Sequence, residues 1–309
     1  MLDIVFRRMI AIDFHALCKE DKLLLDRYCR SRYYENSHLN FTNLFMWREP
    51  YQIKLCEEHD VLYMICTFGG RLMALQPLGA EEKMQEAIHK LADYFGEVGE
   101  PLFFSGIEKD FVRELEFYPE ADFDIKADRD NFDYVYLAEK LISLSGRKLH
   151  SKKNHLNAFR KLYPQAEYLP IDDEIVTLCK IELNNWYKLR LADAPDDPFI
   201  GWERKAIMEV LSDFRYFDLE GGAIRLDGRI VAFTFGEQLN KDTAVIHVEK
   251  ADPDIRGAYP AINQGFVESA WSKMTYINRE EDMGHEGLRK AKESYKPEKM
   301  IEKFNARML

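Results

Sequence analysis

Residues 251–261 form a turn whose composition suits the binding of an anion. A β-favouring segment at residues 243–249 precedes the turn, and Pro260 fits the first turn of the helix that follows, where its missing N–H has no partner to lose. A helix that starts directly after a small-residue turn presents free backbone N–H groups and the positive end of its dipole. The turn therefore predicts a seat for a phosphate or carboxylate, formed by Arg256, Gly257, Ala258 and Ala261. An ordinary connection that binds nothing is the alternative.

A second candidate for anion binding is the basic segment at residues 145–163. It contains six Lys or Arg residues, two histidines and no acid, although the whole chain has a net charge of −11. A helix is expected here, and more than one of its faces is basic. Lys148, Lys152 and Lys153 could bind phosphate groups as point charges. A solvated charged face is the alternative.

Polar residues are also concentrated at residues 278–296 and in the loop at residues 191–202. In the first segment, Arg289, Lys292 and Lys296 lie on or just after a short predicted helix, where they could clamp a phosphate or carboxylate or be solvated. The loop is acidic and edged by aromatic residues, which could receive a cationic group; a solvated loop is the alternative. The candidate substrate-binding residues are Asp196, Asp197, Trp202 and Asn278.

Composition and charge limit the classes of protein that this chain can belong to. With 309 residues, 46% of them apolar and 31% charged, the chain has room for two folded domains. Its acidity excludes wholesale attraction to nucleic acid or to anionic membranes, so such contacts require a local basic patch. The five cysteines are scattered, and the histidines have no metal-ligand spacing. No apolar run approaches the roughly 20 residues of a membrane span. We therefore predict a cytoplasmic protein without a metal site or a tightly bound cofactor.

The predicted elements occur in the same order in the two halves of the chain. Each half reads as a strand, two helices, three strands, a helix, a strand, a helix and a strand. Hairpins are predicted at Gly69-Gly70 in the first half and at Asp227-Gly228 in the second. The sequence thus predicts an N-terminal domain at residues 1–144, a basic linker helix at 145–164 and a C-terminal domain at 165–309.

This order of elements resembles the GNAT acyltransferase fold, an α/β fold with a mixed sheet, present here as two tandem copies that cover nearly the whole chain. Two segments narrow the resemblance: GRKLHSKKNHLNAFRK at residues 146–161 and NREEDMGHEGLRKAKESYKPEKMIEKF at residues 278–304. They are similar to the phosphatidylglycerol lysyltransferase C-terminal-like family. That family is a tandem-GNAT group related to the Fem-type aminoacyl-tRNA-dependent transferases.

The resemblance implies where a donor would bind. In the GNAT fold the fourth and fifth strands diverge, and the groups freed there hold the arm of the acyl donor. The corresponding segments here are residues 244–250 and 275–278. The turn at residues 254–261 then corresponds to the pyrophosphate-binding turn, although it has one glycine where the family pattern has two.

Acyl transfer to an amine requires a base, donors for the developing oxyanion and an acid for the leaving group. Glu249, at the end of the fourth strand, is a candidate base, and Glu280 and Asp282, just after the fifth, are rivals. A salt-bridged carboxylate is the alternative for each. By the resemblance, Tyr295 takes the place of the tyrosine that protonates the leaving group in acetyltransferases of this fold; a packed aromatic is equally compatible with the sequence.

The function expected from these features is transfer of an aminoacyl group from aminoacyl-tRNA to an amine or hydroxyl acceptor. The acceptor would be a small molecule or a lipid headgroup, and the tRNA would contact the basic helix. A coenzyme A thioester is the alternative donor, which would make the protein an acetyl- or acyl-CoA-dependent N-acetyltransferase. A non-catalytic ligand-binding module on the same fold is the second alternative.

Overall fold

The computed structural model describes residues 12–193 and 197–309, and these divide into two compact units. Unit 1 consists of the described part of Met1–Ser31 together with Arg48–Asp128 and Lys303–Leu309. Unit 2 consists of Arg32–Trp47 and Arg129–Glu302. Each unit is built on one mixed sheet with helices, so the α/β class expected from the sequence is confirmed.

Most strands are short; the four longest, of 7 to 10 residues, are one strand of unit 1 and three consecutive strands of unit 2. In chain order they are β1 (His15–Ala16), β2 (Lys54–Glu58), β3 (Val61–Phe68), β4 (Arg71–Ala74), β5 (Leu78–Gly79), β6 (Phe103–Ile107), β7 (Phe123–Ala127), β8 (Asp133–Leu137), β9 (Glu167–Pro170), β10 (Glu220–Leu226), β11 (Arg229–Gln238), β12 (Thr243–Ala251), β13 (Tyr276–Asn278), β14 (Lys299–Ile301) and β15 (Phe304–Met308).

The α-helices of the described residues are α1 (Lys22–Cys29), α2 (Phe41–Trp47), α3 (Met84–Val98), α4 (Lys109–Glu116), α5 (Ala138–Ser143), α6 (His150–Leu162), α7 (Asp173–Asp193), α8 (Pro198–Ser212), α9 (Ala258–Ala270) and α10 (Glu286–Glu293). The basic helix predicted at residues 145–163 is therefore α6, which begins five residues later than expected.

In unit 1 the sheet has the order β1-β2-β3-β4-β6-β15-β7, and β5 pairs with β3. The hairpin predicted at Gly69-Gly70 joins β3 to β4, and both glycines have positive φ, as a tight turn requires. The apolar face of α3 packs on this sheet through Ala87, Leu91 and Phe95, which are fully buried. Unit 1 therefore has its own core.

In unit 2 the sheet has the order β14-β8-β13-β12-β11-β10-β9. Its neighbours are antiparallel except for β12 and β13, which run parallel. The predicted hairpin at Asp227-Gly228 joins β10 to β11. Helix α9 lies on the sheet with Ile262, Phe266 and Val267 fully buried. This packing fixes the start of α9 beside the end of β12.

Strands β8 and β15 each belong to a different unit from the one that the order of the sequence predicts. Strand β8 comes from the first half of the chain but pairs with β13 and β14 in unit 2. Strand β15, at the end of the chain, lies between β6 and β7 in unit 1. The boundaries predicted at residues 144 and 165 therefore differ from the two units. Strands β14 and β15 follow each other closely in the chain, yet one lies in each sheet.

Within the described residues, no helix combines the length and the apolar character needed to cross a bilayer.

Candidate functional site

The parallel strands β12 and β13 of unit 2 separate shortly after they begin to pair. Their register covers three pairs, from Thr243–Tyr276 to Val245–Asn278, whereas β12 continues to Ala251. Backbone groups on this side of β12 after Val245 therefore lie outside the pairing with β13. The divergence expected between residues 244–250 and 275–278 is confirmed.

A cavity of about 640 Å³ lies at this divergence. Its walls come from the second half of β12, the start of α9, the segment after β13 and helix α10, with one side chain each from α2, α6 and α8. Many of the lining side chains are ionisable, so the pairing of their charges determines what the cavity can bind. These side chains are Lys152, Glu203, His247, Glu249, Lys250, Arg279, Glu280, Glu281 and Lys292.

Glu249 lines the cavity, but it is held in an ion pair with Arg279. Nη2 of Arg279 donates to Oε1 of Glu249 at 2.8 Å, and the side-chain amide of Asn263 donates to Oε2 at 2.7 Å. Both carboxylate oxygens are therefore occupied. Nη1 of Arg279 is buried and has no hydrogen-bond partner among the described residues. This arrangement assigns Glu249 to orienting Arg279 rather than to accepting a proton.

Glu280 is the predicted carboxylate best placed to act on a bound molecule. It lines the cavity, and its φ of 56° is a strained value for a residue with a side chain. Its N–H donates to Oδ1 of Asn278 at 2.8 Å, and its Oε1 accepts from Asn43 at 3.1 Å. None of its described hydrogen bonds uses Oε2. A fixed carboxylate with one oxygen available can receive a cation or a proton.

His247 bonds to Glu280 from β12. Its Nδ1 lies 2.9 Å from Oε1 of Glu280, and its Nε2 lies 3.2 Å from Oε1 of Glu237 on β11. Burial acts to lower the pKa of His247, but the two carboxylates outweigh it and raise the pKa to about 9. The sequence offered no distinct signal for His247, which alternates within a strand like a structural residue.

Asp282 does not line the cavity, so the structure does not support its prediction as a catalytic base. It is fully buried and accepts from both Nε and Nη2 of Arg289, from the Tyr134 hydroxyl and from the backbone N–H of Gly284. Burial acts to raise the pKa of Asp282, but the hydrogen bonds from Arg289, Tyr134 and Gly284 hold the pKa at about 2. Asp282 is a structural anchor for α10.

The three cations predicted to clamp a donor are not brought together at the cavity. Arg289 is bonded to Asp282 and to Asp130, and Lys296 is exposed. Lys292 lines the cavity, but its ammonium donates to the carbonyls of Arg279, Glu280 and Glu281, which uses all three of its donors. Burial lowers the pKa of Lys292 to about 8. Lys292 therefore braces the segment that carries Arg279 and Glu280.

Tyr295 and Lys152 both reach the cavity, as predicted. The guanidinium of Arg279 lies 4.7 Å from the centroid of the Tyr295 ring, and Nζ of Lys152 lies 4.3 Å from it. Burial raises the pKa of Tyr295 to about 12, so its hydroxyl keeps its proton at neutral pH. Burial and Arg279 lower the pKa of Lys152. Lys148 and Lys153, its neighbours in the predicted patch, are exposed and do not line the cavity.

The turn before α9 offers fewer free amides than the sequence predicts. The Ala258 N–H donates to Ile255, the Ala261 N–H donates to Gly257, and Pro260 has no N–H. Gly257 has a φ of 84°, and a Cβ there would lie 2.5 Å from the carbonyl oxygen of His155 on α6. Arg256 is exposed and does not line the cavity. The turn is therefore mainly a packing site for α6.

Where they are described, the predicted substrate-binding residues do not line the cavity and are structural. Asp197 caps α8 by accepting from the Phe199 N–H at 2.9 Å, and Trp202 packs edge-on against Phe199. Asp196 lies outside the described residues. Asn278 is buried, and its amide donates to Asp133 and to the Glu35 carbonyl. Asn278 contributes to the site by shaping the backbone of Glu280.

The ionisable lining residues that the sequence did not single out are Glu203, His247, Lys250, Arg279 and Glu281. Arg279 lies inside the predicted polar segment 278–296, where charge density is a general signal that does not single it out. The role of His247 can be recognised only from the strand register, because it depends on carboxylates from β11 and from the segment after β13.

Comparison with known proteins places the chain in a family. The family model described as phosphatidylglycerol lysyltransferase, C-terminal, matches residues 31–307. The crystal structure of a conserved protein of unknown function from Bacteroides thetaiotaomicron VPI-5482 is 35% identical in sequence and has a TM-score of 0.88. The match covers 96% of this chain and 100% of that chain. The structure of L-PGS from Bacillus licheniformis is 15% identical, with a TM-score of 0.57 over 80% of this chain and 81% of that chain.

An uncharacterised protein of Mycoplasmoides gallisepticum is 25% identical over 213 residues. The match covers 66% of this chain and 63% of that protein, slightly less than two thirds of its length. The family expected from the sequence is confirmed by these comparisons.

Proposed function

This chain belongs to the phosphatidylglycerol lysyltransferase C-terminal family, and we propose that it transfers an aminoacyl group to an amine or hydroxyl in the cavity of unit 2. The observation that carries the proposal is the buried, unpartnered Nη1 of Arg279 at the strand divergence, next to Glu280. A buried donor without a partner is costly to maintain, and an acyl oxygen that becomes negative during transfer is a suitable acceptor for it.

The other groups of the cavity supply the remaining steps. Glu280 takes the proton of the attacking amine or hydroxyl as the bond from its nitrogen or oxygen to the acyl carbon forms. Arg279 stabilises the negative charge on the acyl oxygen. As the bond from the acyl carbon to the donor oxygen breaks, Tyr295 protonates that oxygen. The raised pKa of Tyr295, about 12, keeps a proton available for this step.

Aminoacyl-tRNA is the preferred donor in this proposal. Lys153 is exposed on α6 and Lys148 is exposed just before this helix, while Lys152 of α6 lines the cavity, so this segment offers positive charge next to the reaction site. The small number of free amides in the turn before α9 and the contact of Gly257 with α6 disfavour a bound pyrophosphate. A coenzyme A thioester is the second candidate donor, because the side of β12 that diverges from β13 can pair with an extended donor arm.

The test compares binding and turnover of the two donors. We expect lysyl-tRNA to bind in a salt-dependent manner and acetyl-CoA to show no saturable binding below about millimolar concentration. In the variant K148A/K153A, the slope of log K against log salt should decrease in magnitude by about 1.5, because roughly 0.7 to 0.9 counterions are released per phosphate contact. The control K188A/K273A removes the same charge from exposed positions of unit 2 and should keep the slope.

Turnover is measured as loss of the aminoacyl group from lysyl-tRNA in the presence of amines or of vesicles that contain phosphatidylglycerol. Transfer to either acceptor supports the proposal and identifies the acceptor class. Acetylation of amines from acetyl-CoA without tRNA binding would select the acyl-CoA version. Binding of a donor without any turnover would select the non-catalytic module.

A further inference from the structure

His247 is the extra residue of a β-bulge between β11 and β12. Phe235 pairs with Val248 and Gly236 pairs with Ile246, so His247 has no partner of its own in the register. The bulge depends on Gly236, since a Cβ at that position would lie 2.1 Å from the carbonyl oxygen of Val245. Bulges redirect a side chain out of the regular alternation, and they occur next to active sites. The backbone is therefore built to place this imidazole.

Both ring nitrogens of His247 face a carboxylate oxygen. Nδ1 lies 2.9 Å from Glu280 and Nε2 lies 3.2 Å from Glu237, and the imidazole is 1% exposed. A carboxylate only accepts hydrogen bonds, so both nitrogens must donate, and only the imidazolium form has two N–H groups. The hydrogen-bond geometry thus assigns a positive charge to His247 inside the site.

Glu237 forms the far end of this chain of contacts. Its side chain is 7% exposed, and it does not line the cavity. Burial acts to raise the pKa of Glu237, but the hydrogen bond and the positive charge of His247, together with neighbouring hydrogen-bond donors, outweigh burial and lower the pKa. Glu237 therefore stays ionised and keeps His247 protonated without contacting a bound molecule.

We propose that His247 is a positioning residue, which as an imidazolium ties Oε1 of Glu280 to Glu237 and so presents Oε2 of Glu280 to the attacking group. This inference rests on the transferase function proposed above. His247 takes no proton from the substrate itself, because it is already protonated. Glu237 on β11 and Glu280 after β13 are the ionisable side chains that act on it, and Asn43 on α2 shares Oε1 of Glu280.

The proton state of His247 can be tested in the wild-type protein without a substrate. We expect ¹⁵N NMR of the imidazole to show two N–H groups at pH 7 and a titration near pH 9. A single protonated nitrogen at pH 7 would overturn the proposal. This measurement does not depend on transfer activity, so it is separate from the test of the proposed function.

The variant E237Q tests the connection to Glu280. We expect the His247 titration in E237Q to fall by at least about one pH unit, since one ionised partner is lost. The pH at which kcat falls on the alkaline side of its profile (the alkaline limb) should decrease by the same number of pH units. KM should change less than about threefold. An alkaline limb that stays in place while the imidazole titration moves would show a merely structural role and overturn the proposal. E220Q, an exposed matched control on β10, should shift neither titration nor limb.

A second variant covers the case in which E237Q does not fold. E237D keeps the charge and should retain the two N–H groups of His247 at pH 7. If the wild-type protein transfers no aminoacyl group, the position of the Glu280 carboxylate in a crystal structure of E237Q supplies the remaining readout. A Glu280 carboxylate that turns away from its wild-type position in E237Q supports the proposal, and an unchanged Glu280 in E237Q contradicts it.

Discussion

Nη2 of Arg279 lies 2.8 Å from Oε1 of Glu249, and the two side chains are only 12% and 11% exposed. The carboxylate that the sequence placed at the end of the fourth strand is thus committed to a buried ion pair. This pair separates the roles of the acids at the strand divergence. Glu249 fixes a cation, and Glu280 remains available to a ligand.

Loss of the Glu249 charge should destabilise unit 2. In E249Q the buried guanidinium of Arg279 loses its counter-charge, and breaking one side of a buried pair costs about 3 kcal/mol. Urea denaturation followed by tryptophan fluorescence would measure the loss. E220Q, an exposed change of the same chemistry, should remain within about 0.5 kcal/mol of the wild type. Equal stability of E249Q and wild type would show that the pair contributes little.

Substitution E280Q should reduce transfer much more than it reduces donor binding. The amide cannot accept the proton of the attacking group, so kcat should fall by about 100-fold or more. The dissociation constant for lysyl-tRNA should change less than about threefold, because α6 carries the proposed tRNA contacts. Steady-state kinetics and a binding titration provide the two numbers. Retention of more than half of wild-type kcat would exclude Glu280 as the proton acceptor.

Substitution Y295F should separate packing from proton donation. The phenyl ring preserves the contacts with Arg279 and Lys152 and removes only the hydroxyl. We expect kcat to fall by about 100-fold with little change in the melting temperature. Y276F, on β13 and outside the cavity lining, is the matched control. An active Y295F would leave Tyr295 as a packed aromatic.

Gly257 should tolerate alanine less well than Gly228 does. The two glycines have nearly the same φ, 84° and 83°, but only the Cβ at position 257 meets another atom, the carbonyl oxygen of His155 at 2.5 Å. G228A should therefore cost about 1 kcal/mol for the backbone conformation, and G257A should cost a further 1 to 3 kcal/mol for overpacking. Thermal unfolding compares them. Equal losses would mean that α6 moves away freely.

The stability of unit 2 should fall as His247 loses its proton. The pKa of His247 is raised from 6.5 to about 9, so its contribution is complete below pH 6.5 and is lost as the pH rises through 9. A shift of this size corresponds to at most about 3 kcal/mol. The difference in unfolding free energy between wild type and H247Q, measured from pH 6 to pH 10, isolates this contribution. A difference independent of pH would contradict it.

Much of the site could be predicted because its elements are local in sequence. The β-favouring residues at 243–249, the hairpin signal at Asp227-Gly228 and the turn before Pro260 are each recognised from neighbouring residues. These local patterns placed β12 and the start of α9 correctly, and so indicated where β12 and β13 diverge. Glu280 and Tyr295 reach the cavity from the segments just after β13 and α10, and Lys152 reaches it from the first turn of α6.

The pairing of charges could not be read from the sequence. Asp282 and Glu249 look alike as acids near strand ends, yet one binds Arg289 in the buried anchor of α10 and the other binds Arg279 across 30 residues. His247 depends on a bulge, which a single-residue slip in register creates and local alternation does not reveal. The membership of β8 and β15 also escaped prediction, because short strands carry little information about which sheet they join.

The placement of β15 affects how unit 1 folds during synthesis on the ribosome. Residues 304–308 fill the gap between β6 and β7, so most of unit 1 leaves the ribosome long before its sheet can close. Until then, the edges of β6 and β7 that pair with β15 stay unpaired. Unpaired strand edges can pair with incorrect strands or with other chains. Deletion of residues 304–308 should therefore destabilise unit 1, although β6 and β7 lie nearly two hundred residues earlier in the chain.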